Sequence, residues 1–143
     1  MQAVKNLFAG DRFAKAMGME VTAARDGAAT VRMTVRPDCC NGLGLCHGSV
    51  LFGLADLALA AAANSRGRLA VSLCATANWI ANVRPGAVLE ATAREISLTR
   101  RTAVYAVEVR DAADGRVLTA VQGTCYRREE AVPGMEDAAR ENG

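Results

Sequence analysis

One segment of the chain combines several groups that could take part in chemistry. Residues 41–48 read NGLGLCHG, and an apolar, alanine-rich stretch follows with one carboxylate, Asp56, in its middle. If Gly48 begins a helix, its amide lies at the positive end of the helix dipole and has no intrahelical acceptor. Such an amide can stabilise the oxyanion that forms on an ester or thioester carbonyl. The alternative is that the glycines only make a turn and that Ser49 caps the helix.

Asp56 is the second candidate, because a lone carboxylate on an apolar helix is costly unless it has a partner. It could act as a base or a nucleophile, or it could pair with an arginine or with backbone amides. At about 1.5 Å per residue, the Cα atoms of Gly48 and Asp56 are roughly 12 Å apart along one helix. Both groups cannot then reach one carbonyl from the same chain. If both act on one substrate, the sequence predicts a dimer with two equivalent sites at its interface.

Asn41 and His47 are the other polar groups of this segment. The amide of Asn41 could donate to a substrate carbonyl or position water, although Asn-Gly is also a common turn pair. His47 is the only histidine, and no acidic residue adjoins it to orient it as a general base. We therefore expect His47 to have a structural or substrate-positioning role.

The composition argues against several classes of protein. A net charge of +2 and 4% aromatic residues do not favour nucleic-acid binding. The apolar run 50–63 is interrupted by Asp56 and is too short for a membrane span, and no signal peptide is visible. We expect a cytoplasmic protein with no nucleic-acid or membrane partner. The five cysteines are expected to be reduced, and their spacing, without a C-x-x-C pair, argues against a metal site.

Hydrophobic periodicity predicts one α+β domain over residues 1–128. Helical spacing over 4–17 is followed by two strand-like halves around the Asp-Gly turn at 26–27. A long helix is expected over 49–64, and about four antiparallel strands follow it. Residues 129–143 lose the pattern and are expected to form a flexible C-terminal tail. The small side chains of the long helix would let a sheet curl closely around it.

The stretch NGLGLCHGSVLFGLADLALAAAANS, residues 41–65, resembles the signature of hotdog-fold acyl-CoA thioesterases of the phenylacetate-degradation (PaaI) type. That signature reads approximately N-G-x-G-x-C-H-G-G and continues into an L-A-D helix, and the likeness extends over about residues 11–127. The resemblance implies a hotdog fold, an antiparallel sheet wrapped around a long central helix. It also implies homodimers whose sheets join, with active sites at the interface, and usually homotetramers.

The resemblance also implies roles for the matched residues. Asp56 would be the carboxylate that attacks the thioester or activates water. Gly48 would supply the oxyanion amide from the opposite subunit, and Asn41 and His47 would line the reacting thioester. We expect no metal or redox cofactor, and coenzyme A would enter as part of the substrate.

The sequence departs from the signature at three loop positions. Leu43 and Leu45 replace residues that are often polar, and Ser49 replaces the second glycine. Because coenzyme A carries phosphates, basic residues are expected at the rim, although each arginine could equally be a solvated surface residue. An aromatic side chain on the long strand could line an acyl pocket or pack in the core. The candidate substrate-binding residues are Ser49, Trp79, Arg84, Arg100 and Arg101.

We therefore predict hydrolysis of an acyl-CoA thioester, with an aryl-acetyl or similar medium-sized acyl group, to the free acid and CoA. Two alternatives stay open: a hotdog hydratase acting on enoyl or hydroxyacyl thioesters, and a non-catalytic acyl-CoA binding module. The hydratase would require a histidine that works with an acidic group on the acyl chain, and the single His47 makes that reaction less favoured.

Overall fold

The computed structural model describes residues 1–142, which form four α-helices and six β-strands. The helices are α1 (Gln2–Phe8), α2 (Arg12–Met17), α3 (Gly48–Asn64) and α4 (Glu136–Glu141). The strands are β1 (Glu20–Arg25), β2 (Ala28–Thr34), β3 (Arg68–Trp79), β4 (Val88–Leu98), β5 (Thr102–Asp111) and β6 (Val117–Ala131). No helix in this part of the chain has both the length and the apolar character that crossing a membrane requires.

All six strands belong to one antiparallel sheet, in the order β1-β2-β4-β5-β6-β3. The central strands alternate, so that Tyr105, Val107 and Val109 of β5 are buried while the residues between them are half exposed. Although β3 follows α3 directly in the chain, it pairs with β6 and not with β2. This order leaves β3 as a long edge strand whose outer side has no partner strand within residues 1–142.

Helix α3 packs along the concave face of the sheet and forms the centre of the core. Leu51, Leu54, Ala58 and Leu59 are completely buried there. Close approach of helix and sheet requires small residues, since a side chain at Gly123 of β6 would overlap Leu59. The predicted α+β layout, a sheet curled around one central helix, is confirmed.

The N-terminal helix differs from the prediction because it is divided into α1 and α2. The break lies at residues 9–10, and Asp11 then caps α2 by accepting a hydrogen bond from the amide of Ala14 at 2.9 Å. Helical periodicity continues across this break, which is why the spacing of apolar residues did not reveal it. Two short helices can turn around α3 where one straight helix could not.

The C-terminal segment, for which the sequence predicted a flexible tail, consists of the end of β6, a turn and helix α4. Strand β6 continues to Ala131, and α4 packs against β3 and β6. Arg127, which is buried, donates to the backbone carbonyl of Asn142 at 2.6 Å and to that of Thr99. The apolar pattern fades at position 129 because the end of β6 is exposed, while Val132 beyond it is fully buried.

Candidate active site

His47 is the N-cap residue of α3. Its Nδ1 atom accepts a hydrogen bond from the amide of Ser49 at 3.1 Å and lies 2.7 Å from the Ser49 hydroxyl. A ring nitrogen that accepts an amide hydrogen carries no proton, so the neutral imidazole has its hydrogen on Nε2. Ser49 therefore positions the ring and leaves Nε2–H as a donor. The cap is His47, and not Ser49 as in the purely structural interpretation of this loop.

Gly48 is the first residue of α3, and its two backbone groups have different environments. Within residues 1–142 its amide donates to no acceptor, as expected for the first turn of a helix. Its carbonyl accepts a hydrogen bond from the indole Nε1 of Trp79 at 3.0 Å. A Cβ at position 48 would lie 2.9 Å from that nitrogen, so the close contact with Trp79 requires glycine.

Asn41 shapes the loop that precedes α3. Its Oδ1 atom accepts hydrogen bonds from the amides of Leu43 at 2.9 Å and Leu45 at 3.2 Å. The side-chain NH₂ group makes no hydrogen bond within the described part of the chain. The turn interpretation of Asn41 therefore holds for its oxygen, while its nitrogen is still available to a ligand. Arg84 approaches the same loop, with Nη1 3.8 Å from where a Cβ of Gly44 would be.

Asp56 lies on a face of α3 that the sheet does not cover. Its carboxylate is exposed in the single protomer, and Oδ1 accepts a hydrogen bond from the Ser72 hydroxyl at 3.2 Å. In one chain alone Asp56 is thus a solvated carboxylate with Ser72 as its hydrogen-bond partner, although most of α3 is buried. Gly53, Asp56 and Ala60 lie on this less covered face of α3, whereas the residues between them that face the sheet are buried. Ser72 was not identified from the sequence, since nothing distinguishes it from other strand serines.

Phe13 of α2 is the other residue near the site that sequence reasoning missed. It is 55% exposed, and its ring lies 3.1 Å from where a Cβ of Gly53 would be. On one side it lines a cavity of about 100 Å³ that includes Asp56. On the other side it lines a cavity of about 310 Å³ that includes His47 and Ser49. Helical spacing over 4–17 did not indicate a role for Phe13 at the site, which follows from its position in α2 beside these cavities.

Two of the predicted substrate-binding arginines do not lie near Gly48. Arg100 and Arg101 form the β4–β5 turn, where the carbonyl of Arg100 accepts a hydrogen bond from Arg68 at 3.3 Å. Arg68 begins β3 and Trp79 ends it, which separates them by roughly 36 Å at about 3.3 Å per residue. Within one protomer, only Arg84 of the three arginines is at the helix-start end. The β4–β5 hairpin turns at the end of the sheet opposite to Gly48, and the charge of its arginines alone could not predict that position.

The site is therefore divided within one protomer. His47, Gly48 and Trp79 mark one end of α3, and Asp56 with Ser72 marks a second place on the same helix. Because α3 is an uninterrupted helix, the estimate of about 12 Å between the Cα atoms of Gly48 and Asp56 applies to the structure. One chain alone does not bring the helix-start donors and the carboxylate to a common carbonyl.

Comparison with known proteins assigns the family. A sequence profile described as the thioesterase superfamily matches residues 43–118, which is about half of the chain. The chain belongs to the thioesterase superfamily. The acyl-coenzyme A thioesterase PaaI of Escherichia coli is 38% identical over 103 residues, covering 72% of this chain and 74% of that protein. These matches confirm the family predicted from residues 41–65.

Solved structures of this family share the fold. The E. coli PaaI structure superposes with a TM-score of 0.85 at 33% identity, covering 89% of this chain and 91% of that one. A phenylacetic acid degradation protein PaaI from Thermus thermophilus, solved as a mutant, gives a TM-score of 0.77 at 39% identity, with 81% and 98% coverage. The predicted hotdog fold is confirmed.

The five cysteines are all free thiols. Cys39, Cys40 and Cys46 lie in and around the loop before α3, Cys74 is on the exposed edge strand, and Cys125 is buried. In the described part of the chain no group of histidine, cysteine and carboxylate side chains is arranged to hold a metal ion.

Proposed function

We propose that this thioesterase hydrolyses an acyl-CoA thioester to the free acid and CoA. The observation that carries the proposal is the start of α3, where the Gly48 amide has no acceptor among residues 1–142 and the His47 Nε2–H lies next to it in the chain. The nitrogen of Asn41 is a third donor in the same loop. Preorganised donors of this kind stabilise the negative charge that develops on a thioester oxygen. The name of the E. coli relative supports acyl-CoA as the substrate class.

We propose that the carboxylate comes from a second protomer. Ser72 of β3 contacts Asp56, and Trp79 of the same strand contacts Gly48, so α3 and β3 run antiparallel to each other. If two β3 strands pair antiparallel about a centre near residues 75–76, the Ser72 of each faces the Trp79 of the other. Each Asp56 is then carried toward the helix start of the partner, and two equivalent sites form.

The surface of β3 supports this pairing. Its outer edge is unpaired, and Val71 and Leu73 are 53% and 60% exposed. A long edge strand with exposed apolar residues is a template for pairing with another chain unless it is covered. A β3–β3 contact satisfies the edge and covers part of these side chains with cross-strand neighbours. Further association into a homotetramer is a prediction of the family resemblance.

The proposed reaction uses only groups of the two chains. Asp56 either removes a proton from water, which adds to the thioester carbonyl, or attacks that carbon itself to form an anhydride that water then cleaves. In both routes the carbonyl oxygen of the thioester becomes an oxyanion held by the Gly48 amide and the His47 Nε2–H. Its collapse breaks the carbon–sulfur bond and releases CoA as thiolate. The Ser72 hydroxyl fixes one carboxylate oxygen and leaves the other for the reaction. Neither route requires a metal or redox cofactor.

We propose that the acyl group is aryl-acetyl or of similar medium size. The cavity of about 310 Å³ beside His47 has Phe13, Met17 and Val50 in its lining, and apolar walls favour an apolar acyl group. Arg84 approaches the helix-start loop and would suit a phosphate of CoA. With β3 strands paired antiparallel, the β4–β5 turn of one protomer lies toward the helix-start end of the other.

A panel of acyl-CoA thioesters with a thiol reagent tests the proposal. We expect release of free CoA, with highest kcat/KM for aryl-acetyl or medium acyl chains, and a loss of at least about 100-fold in Asp56→Asn. Asp114→Asn is the matched control, because Asp114 is an exposed carboxylate in the β5–β6 turn. Tight binding without thiol release would contradict hydrolysis in favour of a binding module. Addition of water to an enoyl chain without thiol release would indicate a hydratase.

A further inference from the structure

Cys40 and Cys46 face each other across the base of loop 41–45. They form an isolated antiparallel bridge. The amide after Cys40 bonds to the carbonyl before Cys46, and the amide after Cys46 bonds to the carbonyl before Cys40, both at 2.8 Å. Because these bonds join the neighbours and not the cysteines, the pair is of the non-hydrogen-bonded type. In such a pair the Cα atoms are about 4.5 Å apart and the side chains lie on the same side of the ladder.

This geometry is suitable for a disulfide, which usually joins residues with Cα atoms about 4.4–6.8 Å apart. Each thiol makes only a weak contact with a backbone carbonyl, at 3.6 Å for Cys40 with Arg36 and 3.9 Å for Cys46 with His47. Rotation about χ1 toward the partner sulfur therefore loses little. We propose that Cys40 and Cys46 are a modification site that reacts with hydroperoxides and closes into a disulfide at the base of the loop that carries Asn41.

The surroundings of the two sulfurs decide the order of the steps. Cys40 is half-buried and can meet an oxidant, whereas Cys46 is 1% exposed. Burial, with smaller contributions from Cys39 and Cys40, raises the pKa of the Cys46 thiol to about 11. A thiol of high pKa in an apolar site is a poor first nucleophile. Cys40 is therefore the sulfur that is oxidised first, and Cys46 is the resolving thiol.

The proposed reaction is balanced as a two-electron oxidation. The Cys40 thiolate attacks one oxygen of the hydroperoxide, and the O–O bond breaks to leave Cys40 as a sulfenic acid and release an alcohol or water. The Cys46 sulfur then attacks the Cys40 sulfur, its proton leaves with the hydroxyl group as water, and the S–S bond forms. Two thiols are oxidised and one peroxide is reduced. Dithiothreitol reverses the change by thiol–disulfide exchange.

The disulfide would close a short ring without disturbing the hydrogen bonds on either side of it. It would restrict the conformations of loop 41–45 in the unfolded chain. Because the unfolded state then has less entropy, we expect a rise in Tm of about 5 °C on oxidation. This inference does not depend on the substrate of the enzyme.

Mass spectrometry of the full-length protein tests the site. Reduced protein is treated with hydrogen peroxide, denatured and alkylated with N-ethylmaleimide. We expect an intramolecular product with two fewer alkylated thiols, fragment ions that join Cys40 to Cys46, and reversal by dithiothreitol. Cys39→Ser and Cys74→Ser are the controls and should keep the product, because neither residue belongs to the pair: Cys39 is its neighbour in the chain, and Cys74 is exposed elsewhere. Cys40→Ser abolishes it and removes the rise in Tm.

Several results would overturn the inference. One is a disulfide that joins Cys39 to Cys46, and another is a crosslink between chains through Cys74. A third is a sulfinic acid on Cys40 while Cys46 stays alkylatable in the folded, oxidised protein. An unchanged thiol count after peroxide treatment would also overturn the inference. The same holds for a Tm that rises in the Cys40→Ser variant as much as in the parent.

Discussion

Replacing Gly48 by alanine tests whether the contact with Trp79 is what excludes a side chain at the start of α3. The added Cβ would lie 2.9 Å from Trp79 Nε1 and 3.4 Å from two ring carbons. Because Trp79 is 56% exposed, we expect the ring to move away and not the helix. The loss is then that of the indole hydrogen bond to the Gly48 carbonyl, about 1 kcal/mol of unfolding free energy.

The second arm of this test reverses the sign of the effect. In a Trp79→Ala background the space is open, and the backbone at position 48 does not have a positive φ. Alanine is then favoured over glycine within a helix by about 0.5–1 kcal/mol, so the same substitution should be neutral or stabilising. The gain from alanine applies in both backgrounds and cancels, so the predicted coupling between the two positions is that of the lost hydrogen bond, about 1 kcal/mol.

Urea unfolding followed by circular dichroism, at one protein concentration, measures these free energies. Trp79 is the only tryptophan, so a red shift of its emission in Gly48→Ala reports the displaced ring directly. Gly42→Ala is the matched control, because nothing lies within 4 Å of a Cβ at that loop position. Equal effects of Gly48→Ala with and without Trp79, or an unshifted emission, would refute the steric argument.

Three further substitutions test the packing, the cavities and the edge strand. Gly123→Ala should destabilise the fold by about 1–3 kcal/mol through overlap with Leu59. In a Leu59→Ala background the effect of Gly123→Ala should be much smaller, and additive effects of the two substitutions would contradict the overlap. Phe13→Ala removes the ring shared by two cavities and should shift the kcat/KM ranking toward larger acyl groups with little change in Tm, whereas an unchanged ranking would show that the ring does not limit the acyl group. Leu73→Lys places a charge on the proposed interface and should yield monomers in analytical ultracentrifugation; a dimer of wild-type affinity would place the interface elsewhere.

The local features of the fold could be predicted from the sequence. The long helix was expected over 49–64 and extends over Gly48–Asn64, and the turn at 26–27 joins β1 to β2. These elements are specified by short-range patterns, namely helical or alternating periodicity and turn residues. The division of the first helix after Phe8 was missed, although an aspartate at position 11 is a typical N-cap residue and could have indicated it.

The site could be predicted only in part, because its geometry depends on the order of strands. The loop residues and Asp56 were identified, whereas the exposure of Asp56 follows from which helix face the sheet covers. The position of β3 at the sheet edge, and of Arg100 at the far end of the sheet, are properties of the topology. Ser72 meets Asp56 only because β3 crosses beside β6 and runs back along α3.

Complementation between two inactive variants tests most directly the claim that each site combines two protomers. Asp56→Asn removes the carboxylate, and His47→Asn removes the Nε2–H donor while asparagine still caps the helix. Co-expression with two different tags and tandem purification yields the heterodimer, in which one site carries both changes and the other carries neither. The account predicts that this heterodimer recovers about half of the wild-type turnover per dimer. A heterodimer as inactive as either parent would show that His47 and Asp56 act within one chain, and would contradict the account.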